Sequence, residues 1–282
     1  MIKLSAVQLS SSADVTTNLA TIGQILTDIT SVDANDNNVL ATQEKVEHLV
    51  VLPECCLLFG SKDSAQLTLA QETVEHNNLC QSLAKLAQRF KVYLVAGTIP
   101  LISSTPDKFT NSCCVFNPSG DMIGQYDKIH LFDVSVSDNT KSYSESRYTQ
   151  AGSEVKVVNS PFANIGLSVC FDLRFPSLFQ QLREQGADII TVPSAFTRVT
   201  GKAHWQTLLQ ARAIENQVYI IAAGQEGVHE NGRETWGHSM IINPWGEVEQ
   251  CKVSGVGFIS VDYHEEELTR IRQSMPLTSP LN

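Results

Sequence analysis

An α/β fold is the class this 282-residue sequence predicts, and three patterns point to it. Short runs such as Leu49-Val50-Val51-Leu52, and the stretches 165–170 and 219–223, are apolar at nearly every consecutive position, as in strands covered on both faces. Between such runs lie segments with helical spacing, of which Leu79, Leu83, Leu86 and Phe90 give a single apolar face. The two kinds of segment alternate along the chain, which is the signature of layered sheets and helices. With 42% hydrophobic and 18% charged residues, the composition is that of a globular protein, and the chain is long enough to build a core without disulfides or metals.

Taken in order, a strand over 4–9 is followed by a helix over 15–29 and a polar surface loop over 33–38, rich in Asp and Asn. A buried strand over 49–52, a helix over 72–90 and a strand over 92–99 come next. The runs 111–116 and 122–126 flank Asn117-Pro118-Ser119-Gly120, whose turn chemistry predicts a hairpin. Residues 133–152 are polar and aperiodic, and irregular loops of that length often cover an active site. Strands over 165–170, 189–192, 219–223, 240–242 and 256–261 alternate with helices over 176–185, 203–216 and 265–271. Asn243-Pro244-Trp245-Gly246 reads as a second tight turn. No low-complexity stretch or linker divides the chain, so one domain over 1–282 is expected.

The formal net charge of −10, with a pI near 5.1, and the lack of any basic run argue against a nucleic-acid partner. No apolar run approaches the ~18 residues that span a bilayer, and the N-terminus reads as a strand rather than a signal peptide. Seven cysteines, without a C-x-x-C pair, fit a reducing interior. A cytoplasmic protein is expected, with a mitochondrial pool if the source is eukaryotic. Cys55-Cys56 and Cys113-Cys114 are adjacent pairs to which the sequence assigns no role.

Chemistry concentrates at three places. Cys170 ends an apolar run and is followed by a polar turn and by Pro176, which suits the first turn of a helix. Such a strand-to-helix corner lifts a side chain out of a sheet at its C-terminal edge, where open α/β sheets place their sites. The plain alternative is an inert core thiol. Glu54 follows Val50-Val51-Leu52-Pro53, and a carboxylate just past a buried strand is a candidate general base, or else a charge that merely ends the strand. Lys128 follows the hairpin; an ammonium there would stabilise a thiolate or an oxyanion, if it is not simply a solvated charge. His130, His204 and His238 form no His-x-x-x-His pair, so no metal site is expected. Trp205 and Trp236 suit the core or an interface better than a ligand platform.

These segments occur together, in order: LPE at 52–54, YDKIHLFD at 126–133 and SVCFDLRFP at 168–176. PSAFTRVTGKAHW at 193–205, QARAIENQVY at 210–219 and WGHSMIINPWG at 236–246 follow. The set resembles the nitrilase superfamily of carbon–nitrogen hydrolases over nearly the whole chain, and within it the branch of deaminated glutathione amidases, with ω-amidases as neighbours. The resemblance implies a four-layer αββα sandwich extended by dimerisation, and a Glu54–Lys128–Cys170 triad that works without metal or organic cofactor. It implies that Glu145, in Ser144-Glu145-Ser146, orients Lys128 and assists the hydrolytic water, while the Phe171 backbone N–H helps hold the oxyanion. TQAG at 149–152 departs from the proline–glycine ending usual in relatives.

The implied substrate is a small-molecule amide with a 2-oxoacid end. Arg174, four residues past the nucleophile, offers a bidentate fork for a carboxylate, and Phe196, Thr197 and Arg198 follow another strand end. A surface salt bridge is the alternative for either Arg, and packing the alternative for Phe196. An ω-amidase acting on 2-oxoglutaramate, another amidase acting on an N-carbamoyl compound, and a catalytically silent scaffold are the competing readings. The presence of Glu54, Lys128, Glu145 and Cys170 together argues against the last. A filament-forming nitrilase would carry a long C-terminal extension that is not in this sequence.

Overall fold

The computed structural model describes residues 1–34, 46–73, 78–138, 140 and 142–277. The first half runs β1 (Ile2–Gln8), α1 (Val15–Ala34), β2 (Glu47–Val51), α2 (Ala65–Thr73), α3 (Asn78–Phe90), β3 (Tyr93–Ile102), β4 (Phe109–Phe116) and β5 (Met122–Asp127). A short ribbon, β6 (Asp133–Ser135) and β7 (Ser142–Ser144), leads to β8 (Val157–Asn159), β9 (Asn164–Leu167), α4 (Pro176–Glu184), β10 (Ile189–Thr191) and α5 (Arg198–Asn216). The chain then forms β11 (Tyr219–Ala222), β12 (Glu226–Val228), β13 (Glu234–Trp236), β14 (Ser239–Ile242), β15 (Val248–Lys252), β16 (Gly257–Asp262) and α6 (Glu265–Ser274).

Two six-stranded sheets result, ordered β16-β1-β2-β3-β4-β5 and β15-β14-β11-β10-β9-β8. In each, three central strands are parallel (β1, β2 and β3; β9, β10 and β11) and their outer neighbours antiparallel. The consecutive apolar runs are explained by the period of two. Leu4, Ala6, Leu49, Val51, Val95 and Val115 point toward the second sheet, while Val7, Val50, Leu52, Leu94 and Phe116 point the other way, onto α1 and α3. The helical face of α3 supplies Leu79 and Leu83, packed beside Ile22, Leu26 and Ile29 of α1. On the second sheet Gly166 and Ile190 sit under Leu182 of α4. Trp205, Leu209 and Ala213 of α5 join the same core. The layers are therefore helix, sheet, sheet, helix, as the resemblance implied.

Five boundaries differ appreciably from expectation, one of them the helix expected over 203–216, which is α5 and begins at Arg198. The first helix continues to Ala34, so the loop expected over 33–38 begins as helix, and 35–38 lie outside the described residues. The helix expected over 72–90 is the end of α2 and the whole of α3, with 74–77 outside the described residues. Regular pairing of β9 stops at Leu167, although Ser168 N and Cys170 N still donate to Thr191 O (3.2 Å) and Pro193 O (2.9 Å). Residues 133–152 hold the β6–β7 ribbon and a single 3-10 turn at Glu145–Arg147. Their polar side chains carry no apolar period, so these elements leave no trace in the sequence pattern. The β12–β13 hairpin was hidden for the same reason.

Candidate active site

The parallel strands of both sheets end at the same side of the sandwich, and the chemically notable residues stand on those ends. Beyond β2 the backbone keeps one more bond, Leu52 N to Val95 O (2.9 Å), and then turns through Pro53 to Glu54. The turn fits only because residue 97 is glycine: a Cβ there would overlap the Pro53 carbonyl. Glu54 is buried. Its Oε2 accepts the Ala195 backbone N–H (3.0 Å), beyond β10 of the other sheet, and Oε1 accepts from Lys128 Nζ (2.9 Å) and Asn111 Nδ2 (3.0 Å).

Lys128 follows β5 and is only 2% exposed. Its backbone is clipped on both sides, N to Asn111 O (3.1 Å) and O from Gly152 N (2.9 Å). A Cβ at residue 152 would strike Asp127, so the TQAG ending keeps the glycine that this approach needs. The ammonium also donates to Glu145 Oε1 (3.1 Å) and Oε2 (2.8 Å). Glu145 accepts in addition from Phe132 N (2.7 Å) and Asn111 Nδ2 (3.1 Å). One cation and one amide thus hold two carboxylates together that would otherwise repel.

Cys170 opens a 3-10 turn, Cys170–Arg174, with φ +50°, a left-handed conformation that costs a non-glycine residue about 1–2 kcal/mol. Such strain persists only where its surroundings impose it. Here the constraint is Asp172, fully buried. Its Oδ2 accepts Val169 N (2.8 Å) and Tyr126 Oη (2.7 Å); its Oδ1 accepts His130 N (3.1 Å) and contacts His130 Nδ1 (2.7 Å). Tyr126 Oη accepts Ile129 N in turn (3.2 Å). One carboxylate therefore pins both the corner that carries Cys170 and the segment that carries Lys128.

Burial, and next the Glu54 charge, push the Cys170 thiol well above the ordinary thiol range, outweighing Lys128 and the Ala195 N–H that act the other way. Burial alone would lower Lys128, but Glu145 and then Glu54 hold its ammonium well above the usual lysine value. At neutral pH the site is a protonated thiol beside a carboxylate and a fixed positive charge. A thiol so placed can act as a nucleophile once a base takes its proton, and a cation so placed can hold the charge that develops at a carbonyl oxygen.

The residues 3–255 match the carbon–nitrogen hydrolase family. The chain belongs to that family. It is 43% identical over 232 residues to a deaminated glutathione amidase of Yersinia enterocolitica, covering 81% of this chain and 80% of that one. It is 41% identical over 240 residues to the protein of the same name from Synechocystis, covering 84% and 86%. Among solved structures, Saccharomyces cerevisiae Nit3 of the nitrilase superfamily superposes with a TM-score of 0.81 at 30% identity, over 99% of this chain and 96% of that one.

In this carbon–nitrogen hydrolase Glu54, Asn111, Lys128, Glu145 and Cys170 form the floor of an open cleft. Glu54, Lys128, Glu145, Cys170, Phe171, Phe196 and Thr197 all line it. Arg174 and Arg198 are not among the lining side chains. The Arg174 guanidinium lies over the rings of Phe171 (5.9 Å) and Phe196 (5.3 Å) and bonds His204 Nδ1 (3.2 Å). Arg198 is exposed and paired with Glu234 (3.1 Å). Trp205 is core, its Nε1 donating to His238 O (2.8 Å), and Trp236 stacks on His238. Among the described residues no cluster of three His, Cys, Asp or Glu side chains is placed to hold a metal. Asn111 and Asp172, which bond the residues above, and Tyr143 and Arg233, which line the cleft, were not found by sequence reading. A buried Asn opening an otherwise apolar strand, in Asn111-Ser112-Cys113-Cys114-Val115-Phe116, was the one signal available for Asn111.

Proposed function

We propose that this protein is a single-domain cysteine amidase that hydrolyses deaminated glutathione to 2-oxoglutarate and cysteinylglycine. The observation that carries the chemistry is the convergence of Glu54, Lys128 and Glu145 on the floor of the cleft that Cys170 lines. The substrate rests on the name shared by the Yersinia and Synechocystis relatives. Glu54 takes the Cys170 proton as Sγ attacks the γ-amide carbonyl. Lys128 and the Phe171 N–H hold the oxyanion. Glu54 then gives the proton to the departing amine, the C–N bond breaks, and a thioester remains. Glu54 next takes a proton from water, whose oxygen attacks the thioester. The acid leaves, and the proton returns to Sγ. Glu145 holds Lys128 in place throughout and orders the water. No step calls on a metal or organic cofactor.

Phe196 and Thr197 form the wall against the acyl chain. Arg174 acts on that wall from behind, through its stacking on Phe196 and Phe171, and Arg198 holds Glu234 at the rim. Pairing into a homodimer through helices beside the site is part of the same proposal; Val199 and Ile214, both on α5, are 46% and 48% exposed. No described helix is long and apolar enough to cross a membrane, and cytoplasmic residence is proposed. The test is 2-oxoglutarate release from deaminated glutathione and from 2-oxoglutaramate in parallel, with Cys170→Ala as blank. Faster cleavage of deaminated glutathione by wild type alone supports the proposal. Preference for 2-oxoglutaramate moves the protein to ω-amidase, and equal rates with Cys170→Ala refute the nucleophile.

A further inference from the structure

The cleft has a second chemical feature away from its floor. Phe171, beside the nucleophile, contacts Phe132 (ring centroids 5.1 Å), Phe132 contacts Tyr143 (5.0 Å), and the Arg233 guanidinium lies over Tyr143 (5.2 Å). An aromatic wall therefore runs from the reacting sulfur to a guanidinium, and Cys170, Phe171, Phe132, Tyr143 and Arg233 all line the same cleft. Arg233 lies in the turn before β13, and that turn is rigidly built. Its N donates to Asn231 Oδ1 (3.1 Å), its O accepts His229 N (2.9 Å), and Asn231 Nδ2 donates to Ser61 O (2.8 Å).

Among the described residues the hydrogen-bond partner of the guanidinium is Asp63, 2.7 Å from Nη2. Asp63 is 69% exposed against 27% for Arg233, so this pair is cheap to open, and the rest of the donor fork stays open to a ligand. Lys62 lines the same end and adds positive charge there.

The geometry points to Arg233 as a carboxylate-binding residue for the leaving group, receiving the C-terminal carboxylate of a dipeptidyl amine whose γ-amide is cut at Cys170. This rests on the proposed function and names which end of the substrate lies where. Two extended residues beyond the scissile nitrogen reach about 7 Å, farther than the acyl chain, so the leaving group is the arm that extends along the aromatic wall toward Arg233. The aromatic rings suit the apolar stem of that leaving group, and Arg233 suits its end.

The test is a cycle of two enzymes and two substrates: wild type and Arg233→Gln, each with deaminated glutathione and with the analogue whose glycine carboxylate is a carboxamide. With wild type, capping the carboxylate lowers kcat/KM about tenfold or more, the scale of a charge-assisted hydrogen bond. With Arg233→Gln the same cap changes it less than about twofold. Asp63→Asn, which removes the competing carboxylate, keeps or widens the wild-type ratio. An undiminished ratio in Arg233→Gln overturns the inference, as does a wild-type ratio near one. Arg233→Lys, which keeps the charge but loses the fork, gives an intermediate ratio and serves where Arg233→Gln fails to fold. A wild type that cleaves 2-oxoglutaramate but neither dipeptidyl substrate overturns the proposed function itself.

Discussion

Replacing Asp172 by Asn tests how the corner at Cys170 is held. The carboxylate faces two groups at each oxygen: Val169 N–H and Tyr126 O–H at one, His130 N–H and Nδ1 at the other. An amide presents its NH2 to one of these pairs. Tyr126 Oη can rotate and His130 can change tautomer, but a backbone N–H cannot. Either amide orientation therefore leaves one buried backbone N–H facing another donor, which costs about 2 kcal/mol. The thermal midpoint should fall by roughly 3 °C. Asp172→Ala removes every bond and should cost about 4 kcal/mol. Because Asp172 touches no substrate atom, its effect on turnover is through position. A small displacement of the left-handed Cys170 should lower kcat of Asp172→Asn 10-fold to 100-fold, order of magnitude, with KM changed much less. The assay pairs thermal unfolding with kcat and KM on the same samples. Wild-type kcat in Asp172→Asn, or a proportional rise in KM instead, would refute the positioning argument.

Asn111→Ala removes the amide shared by Glu54 and Glu145 and should lower kcat by roughly tenfold, while Asn111→Asp, adding a third carboxylate, should be worse; steady-state kinetics of the two decide. Lys128→Met leaves those two carboxylates without their cation and should cost about 3–5 kcal/mol in urea unfolding, besides abolishing activity; unchanged stability counts against a buried ion network. For pH, the folded-state values of Cys170 and Cys113 lie above the unfolded thiol value of about 8.5, and burial pushes Cys56 up to about 12. The unfolded chain releases these protons first, so their contribution is complete below about pH 8.5 and is lost as pH rises toward the folded values. The urea midpoint should therefore decline from about pH 8.5 upward, and a flat profile to about pH 10 contradicts the burial of these thiols. Gly97→Ala forces Pro53 away and should reduce kcat through Glu54 with no loss at the distal cleft wall, read as a kcat effect at near-constant KM.

Much of this arrangement was written locally. Strands buried on both faces announce themselves by consecutive apolar residues, and α3 by one leucine-rich stripe, because burial imposes a period. Glu54, Lys128 and Cys170, the triad proposed above, were legible as candidates because each sits in a short segment whose neighbours also match a family pattern. What escaped was set by contacts distant in sequence. Asp172 reads as an ordinary turn residue until Tyr126 and His130, more than forty positions away, are folded onto it. Arg233 belongs to a polar hairpin with no apolar period, and only the meeting of that hairpin with Asp63 and Tyr143 places it in the cleft. Arg174 shows the reverse: closeness in sequence to Cys170 suggested a substrate contact, yet the 3-10 turn directs its guanidinium onto Phe171, Phe196 and His204.

The central claim is a covalent intermediate on Cys170, and the most direct measurement is peptide mass mapping after acid quench. Wild-type protein mixed with deaminated glutathione for a fraction of a turnover should carry one 2-oxoglutaryl group, on the peptide containing Cys170 and on no other cysteine peptide. Cys170→Ala should carry none. A wild-type protein that releases 2-oxoglutarate while its Cys170 peptide stays unmodified at every quench time, or that carries the acyl group on Cys55 instead, would contradict the account.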